Sequence, residues 1–217
     1  MSSISFTQIQ QQWESFIYQY LYPVIIKCGE PLEGNILTHH QSLYKNAIFV
    51  KKQINIHALL SSLKKENEDE KIIGLEIGFN SGFSSLLMLM SNPNLYLTCV
   101  DINDHSYTTP CYQVLKSFFG DRIHLIPKSS TIAIPEFIEE ERKFDFIHID
   151  GCHETEVVIE DIDNCMKCCK EGTIILMDDT EWGNINEEWN KAIQKYNLKN
   201  YNIQETVECR EHNFKLF

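Results

Sequence analysis

Residues 72–101 read IIGLEIGFNSGFSSLLMLMSNPNLYLTCVD, and this stretch decides the fold. A short apolar run ends at Gly78, small residues (Gly78, Ser81, Gly82) make a turn, and an apolar segment of helical length follows. Asn92-Pro93 then breaks the chain before a second apolar run that closes on Asp101. Strand, turn, helix and strand in that order predict a βαβ unit, whose two strands run parallel.

Outward from this unit the pattern repeats. RIHLI (122–126), FDFIHID (144–150) and GTIILMD (172–178) read as further strands. YQVLKSFFG, IPEFIEEER and EVVIEDIDNCMKCCKEG read as the helices between them. An α/β domain with a parallel sheet and helices on both faces is therefore expected, and the tail YNIQETVECREHNFKLF can supply a closing antiparallel pair. Towards the N-terminus, TQIQQQWESFIYQYL spaces Ile9, Trp13, Phe16, Ile17, Tyr20 and Leu21 on one helical face, and INIHALLSSLKK predicts a second helix. The polar run ENEDEK (66–71) separates a helical extension, 1–69, from the α/β domain, 70–217.

Composition limits the function. The chain has 217 residues, 43% hydrophobic, with a formal net charge of -12, so it can build a full core and repels phosphodiester backbones. The short pairs Lys51-Lys52 and Lys64-Lys65 do not offset that balance, and nucleic acid is excluded as the main partner. The first residues lack a signal-peptide pattern and no apolar run is long enough to span a bilayer, so a cytoplasmic protein with no membrane partner is expected. Cys165, Cys168 and Cys169 form a CxxCC cluster without the second pair that a four-ligand zinc site needs. Reduced, mostly buried thiols are expected.

In open parallel sheets ligands gather at the carboxyl ends of the strands. The turn Gly78-Phe79-Asn80-Ser81-Gly82 there lets backbone approach a ligand and aims helix N-terminal N–H groups at it, or is a plain tight turn. Asp101 ends the next strand, where a carboxylate can hold both ribose hydroxyls or cap a helix. Two more strands end in Asp150-Gly151-Cys152-His153 and Asp178-Asp179-Thr180. Adjacent, they crowd three carboxylates at one edge, which calls for a hard divalent cation, Mg²⁺ first, unless the acids merely cap and turn the chain. Both Asp178 and Asp179 can face one ion only if the chain turns between them. His148, inside its strand, reads as a core histidine, while Trp182 either lines the pocket or packs. The run Glu139-Glu140-Glu141 reads as a solvated helix face, and His39 or His40 as a candidate for a substrate lid.

LEIGFNSGFSS, CVDIN, FGDRIHLI, FDFIHIDGCH and KEGTIILMDDT, in this order, resemble the motifs of class I S-adenosylmethionine-dependent methyltransferases. The likeness is to metal-dependent O-methyltransferases of the macrolide-sugar and catechol type. It implies a Rossmann-like methyltransferase fold with a mostly parallel seven-stranded sheet and one antiparallel closing strand. It implies S-adenosylmethionine as cofactor, with Glu76, Gly78 and Asn80 at its methionine part, Ser84 at its carboxylate, and Ser81 and Gly82 also among the cofactor-binding residues. Asp101 would take the ribose and Ser129 or Ser130 the adenine, with Asp150 also beside the cofactor. Lys128 stands where family members often carry an acid. Asp150, Asp178 and Asp179 fall on metal-ligand positions, and His153, with Asp150, on the catalytic ones. His153 stands where sugar-modifying relatives carry a general base. The resemblance thus implies methyl transfer to a hydroxylated small molecule, a sugar or glycosylated metabolite ahead of a catechol. A cofactor-binding interaction protein without catalysis and an NAD-dependent oxidoreductase are the alternatives, the latter disfavoured by GxxxG spacing. A homo-oligomer is compatible with the sequence.

Overall fold

A computed structural model describes residues 5–38, 47–65, 67, 70–203 and 205–217. The candidate lid residues His39 and His40 lie outside the described residues. Five parallel strands form the sheet centre: β1 (Ile72–Ile77), β2 (Leu95–Asp101), β3 (Ile123–Pro127), β4 (Phe144–Ile149) and β5 (Cys169–Met177). Two short strands complete it, β6 (Lys199–Asn200) and β7 (Asn213–Leu216), with β7 antiparallel to both β5 and β6. The spatial order is β3-β2-β1-β4-β5-β7-β6. This is the expected Rossmann-like sheet, with the chain reversal between β1 and β4 that opens a crevice at the strand ends. The central strands are apolar runs because both faces are covered; every residue of β4 is buried.

The helices divide between the two faces. On one lie α4 (Phe83–Ser91) and α5 (Thr108–Phe119), together with the extension helices α1 (Phe6–Phe16), α2 (Tyr22–Cys28) and α3 (Ala47–Ser62). On the other lie α6 (Ser130–Glu139), α7 (Thr155–Lys167) and α8 (Gly183–Lys195). Ile9, Trp13, Ile17, Leu21 and Ile25 share one core with Leu86, Leu87 and the sheet, so the extension packs as part of the same body. The fully buried Trp13 donates from Nε1 to the Phe83 carbonyl at 2.8 Å, pinning α1 across the start of α4. That sandwich explains why α4 is apolar on nearly every side.

Several elements differ from their sequence readings. The first helix widens into a π turn at Ile17–Leu21 before Pro23 starts a new helical segment. α3 begins by Ala47, well before the INIHALL segment, and so carries Lys52. β5 begins at Cys169, because its pairing with β4 shifts register between Phe144 and Phe146. The cysteine cluster is consequently split between α7, its end and β5, all three thiols free and buried. Among the described residues no helix is long and apolar enough to cross a membrane.

Candidate active site

A cavity of about 570 Å³ opens at the carboxyl ends of β1, β4 and β5. The β1 turn forms one wall. Gly78 has φ +90°, and a Cβ there would meet the Asp150 carbonyl oxygen at 1.8 Å, so this turn presses directly on the end of β4. Asn80 is also left-handed, at φ 51°, and its Nδ2 donates to the Glu33 and Gly34 carbonyls of the extension at 2.6 and 2.8 Å. Ser81 and Ser84 line the cavity at the start of α4, where helix N–H groups lack intrahelical acceptors.

Not every sequence candidate reaches the cavity. Glu76 is fully buried behind it, where its carboxylate accepts from Ser84, at 2.5 Å, and from Ser85. Its Oε1 also faces His148 Nδ1 at 3.2 Å, so Glu76 holds the wall from behind. Gly82, at φ +77°, starts α4 against the Phe79 ring rather than lining the space. Asp101 ties the turn from the next strand, accepting from the Asn80 and Asn103 backbone N–H groups, each at 2.7 Å. One lone-pair direction per oxygen remains for ribose hydroxyls. Ser129 and Ser130 begin α6 and are absent from the cavity lining.

The acidic end is built by β4, β5 and two elements the sequence reading did not bring there. Asp179 has φ 54°, so the chain does turn after Asp178 and both carboxylates converge. They converge on Lys52 of α3, whose Nζ lies 2.7 Å from an oxygen of each. The tail returns beside them: Thr180 N–H donates to the Glu211 carbonyl and Thr180 Oγ1 to the Arg210 carbonyl. Asn55 clamps the same tail through a reciprocal pair of bonds with the Val207 backbone. Glu211 thereby lines the cavity, and His212 Nε2 lies 3.3 Å from Asp178 Oδ1.

His153 stands at the edge, 38% exposed, with Nε2 3.0 Å from Asp179 Oδ2. A carboxylate only accepts, so Nε2 carries the proton and Nδ1 the lone pair when the ring is neutral. The bond to Asp179 raises the His153 pKa against the opposing cost of burial. Trp182 is half exposed and its ring lies 5.0 Å from that of His153, so it lines the cavity mouth. Burial, then the neighbouring Asp178 and Asp179, pushes the Asp150 carboxyl up. Asp178 is held well below the usual range: burial opposes its ionisation, but Lys52 and His212 outweigh that.

The comparisons with known proteins agree with this architecture. Residues 75–180 match the family model described as a methyltransferase domain. The matched stretch is just under half of the chain, and over those residues the chain is similar to a methyltransferase domain. Compared by sequence alone, no curated protein matches the chain. Among solved structures, the chain is similar to the apo form of a TDP-rhamnose 3'-O-methyltransferase from calicheamicin biosynthesis, with TM-score 0.59 and 12% identity over 97% of this chain and 93% of that one. A structure from Staphylococcus aureus, described as a caffeoyl-CoA O-methyltransferase, gives 0.57 and 11% over 97% and 99%. A precorrin-6y C5,15-methyltransferase from Geobacter metallireducens GS-15 gives 0.55 and 13% over 76% and 86%. At these identities the likeness is one of fold.

S-adenosylmethionine fits the β1 end of the cavity. The Gly78 turn brings backbone to the cavity wall, α4 starts beside it with N–H groups that have no intrahelical acceptors, and Asp101, behind the turn and off the cavity lining, keeps acceptor capacity. A divalent ion fits poorly. The sequence reading put it on Asp150, Asp178 and Asp179, but the Lys52 ammonium already lies between the last two. His148, Asp150 and Asp178 also bring ligand atoms within 4.8 Å of one another. There, despite burial, the Asp178 carboxylate 3.7 Å from Nε2 and the hydrogen bond from Nδ1 to Glu76 raise the His148 pKa to about 10, so an ion would have to displace the imidazole's proton.

Proposed function

We propose that this enzyme transfers a methyl group from S-adenosylmethionine to a hydroxyl of a small molecule, a sugar or glycosylated metabolite ahead of a catechol. The observation that carries this reading is the His153–Asp179 pair, 3.0 Å apart, on the same cavity as the Gly78 turn. When bound, S-adenosylmethionine supplies a methyl on a sulfonium, whose leaving group is a neutral thioether.

This chain's own residues do the rest. A neutral hydroxyl is a weak nucleophile, and His153 Nδ1 can take its proton as the new bond forms. Asp179 fixes the tautomer and stabilises the imidazolium that results. Trp182 and Phe49, both on the cavity lining, give an apolar surface to the acceptor. Two of the structural neighbours carry O-methyltransferase names, one of them for a sugar nucleotide, which supports a hydroxyl acceptor.

Calorimetry with S-adenosylhomocysteine and with NAD tests the cofactor, and a methyl-transfer screen over hydroxylated acceptors tests the reaction. Binding of S-adenosylhomocysteine with turnover of a hydroxyl acceptor is expected. Binding without transfer to any acceptor class favours a cofactor-binding interaction protein, and binding of NAD alone sinks the methyltransferase reading.

A further inference from the structure

We propose that the Lys52 ammonium is the resident cation of this active site, standing where sequence resemblance places a divalent ion, and that one acceptor hydroxyl docks between Lys52 and Glu211. The inference rests on the methyltransferase reading, because it names the charge that serves its acceptor end.

The geometry carries the assignment. Lys52 is 6% exposed in its side chain and comes from α3, outside the strand ends that supply the acids. Its Nζ lies 2.7 Å from Asp178 Oδ1 and 2.7 Å from Asp179 Oδ1, the space an ion bridging these carboxylates would take. Asp179 adopts its left-handed backbone in turning to meet it. The tail and α3 are tied by the Asn55–Val207 bonds, so the ammonium is held from both sides.

An ammonium has three donors, and two face Asp178 and Asp179. Glu211 Oε2 lies 3.9 Å from Nζ, too far for a direct hydrogen bond. That oxygen is buried and has no hydrogen-bond partner among the described residues. A hydroxyl oxygen set between them would accept from Lys52 and donate to Glu211, satisfying both. Lys52 and Glu211 both line the cavity. Recognition then asks for one hydroxyl and no chelating pair, because no ion is there to chelate.

The test uses Mn²⁺ as probe, titrated by electron paramagnetic resonance into the full chain, with S-adenosylhomocysteine binding measured by calorimetry on the same samples. Wild type should bind S-adenosylhomocysteine and leave Mn²⁺ free. Lys52→Ala, which frees the two carboxylates, should bind Mn²⁺ about tenfold tighter or more than wild type. One equivalent of Mn²⁺ on a wild type that binds S-adenosylhomocysteine overturns this proposal alone. So does a Lys52→Ala chain that still binds S-adenosylhomocysteine but gains no Mn²⁺. Failure of wild type to bind S-adenosylhomocysteine removes the methyltransferase reading and this proposal together. Should Lys52→Ala not fold, the wild-type titration decides.

Discussion

Glu76 and His148 face each other inside the sheet, Oε1 to Nδ1 at 3.2 Å, with neither side chain exposed to solvent. They sit on neighbouring strands at paired positions of β1 and β4. His148 Nε2 in turn lies 3.7 Å from Asp178 Oδ2. A buried charge chain therefore runs from the wall behind the β1 turn to the acids at the end of β5. Its partners keep His148 protonated despite full burial, and removal of one member would leave the others uncompensated.

Stability should record this. Burial opposes the charge on His148, but the nearby Asp178 carboxylate and the hydrogen bond to Glu76 raise its pKa from 6.5 to about 10. A raised histidine contributes fully below its unfolded value of 6.5 and loses that contribution as pH rises towards about 10. Wild type should weaken across that window by up to about 1.4 kcal/mol per pH unit from this group. His148→Gln, which cannot titrate, should have lower stability at pH 6.5 and a flatter profile above it. Urea melts at intervals of pH measure both, and parallel profiles for the two proteins would remove His148 from the account.

The proposed base, His153, carries its own pH dependence. His153 takes a proton only when neutral, and its bond to Asp179 raises its pKa above 6.5. Turnover should therefore rise with pH, with a midpoint above 6.5, and Asp179→Asn should move that midpoint down. His153→Ala should keep S-adenosylhomocysteine affinity and lower turnover by about 10² to 10⁴-fold. Single-turnover rates with a substrate from the acceptor screen give the measurement; an unchanged rate in His153→Ala would dismiss the base.

The contrast between His153 and Lys52 shows what the sequence could carry. Strands buried on both faces read as continuous apolar runs, so β1 to β5 and the acids at their ends were legible from local pattern alone. His153 follows Asp150 by three residues and inherits its place from that strand end. Lys52 has no such marker. It stands in the short Lys51-Lys52 pair ahead of the expected second helix, and only the packing of α3 over the strand ends buries it. Glu211 and His212 arrive through the antiparallel return of β7, a long-range pairing with no periodic trace. For Glu76 the position marks the strand end, but the direction of its side chain depends on Ser84, Ser85 and His148.

Trp13 tests whether the extension is structurally integral to the α/β body. Its ring is fully buried against Phe83, at 6.5 Å between centroids, and its Nε1 satisfies the Phe83 carbonyl. Trp13→Ala should cost about 3–5 kcal/mol. Trp13→Phe keeps much of the apolar volume and loses the bond, which should cost about 1–3 kcal/mol. One cooperative urea transition, shifted in both variants, is expected. A separate early transition that alone responds to Trp13 would make the extension an independent unit.

Gly78 is the sharpest steric constraint at the cofactor turn. Its φ of +90° is one that L side chains rarely adopt, and the Asp150 carbonyl oxygen would lie 1.8 Å from an added Cβ. The clash is with backbone, so no rotamer change relieves it, and either the turn or the end of β4 must move. Gly78→Ala should lose about 1–3 kcal/mol from overpacking, with backbone strain in addition. Because the same turn presents the cavity wall, S-adenosylhomocysteine affinity should fall with it. Gly183→Ala is the control: a Cβ there meets nothing within 4 Å and its φ is not left-handed, so neither stability nor affinity should change appreciably. If Gly78→Ala bound S-adenosylhomocysteine as tightly as wild type in calorimetry, the turn would not be the cofactor wall, and the ligand would have to enter the cavity from the acidic end instead.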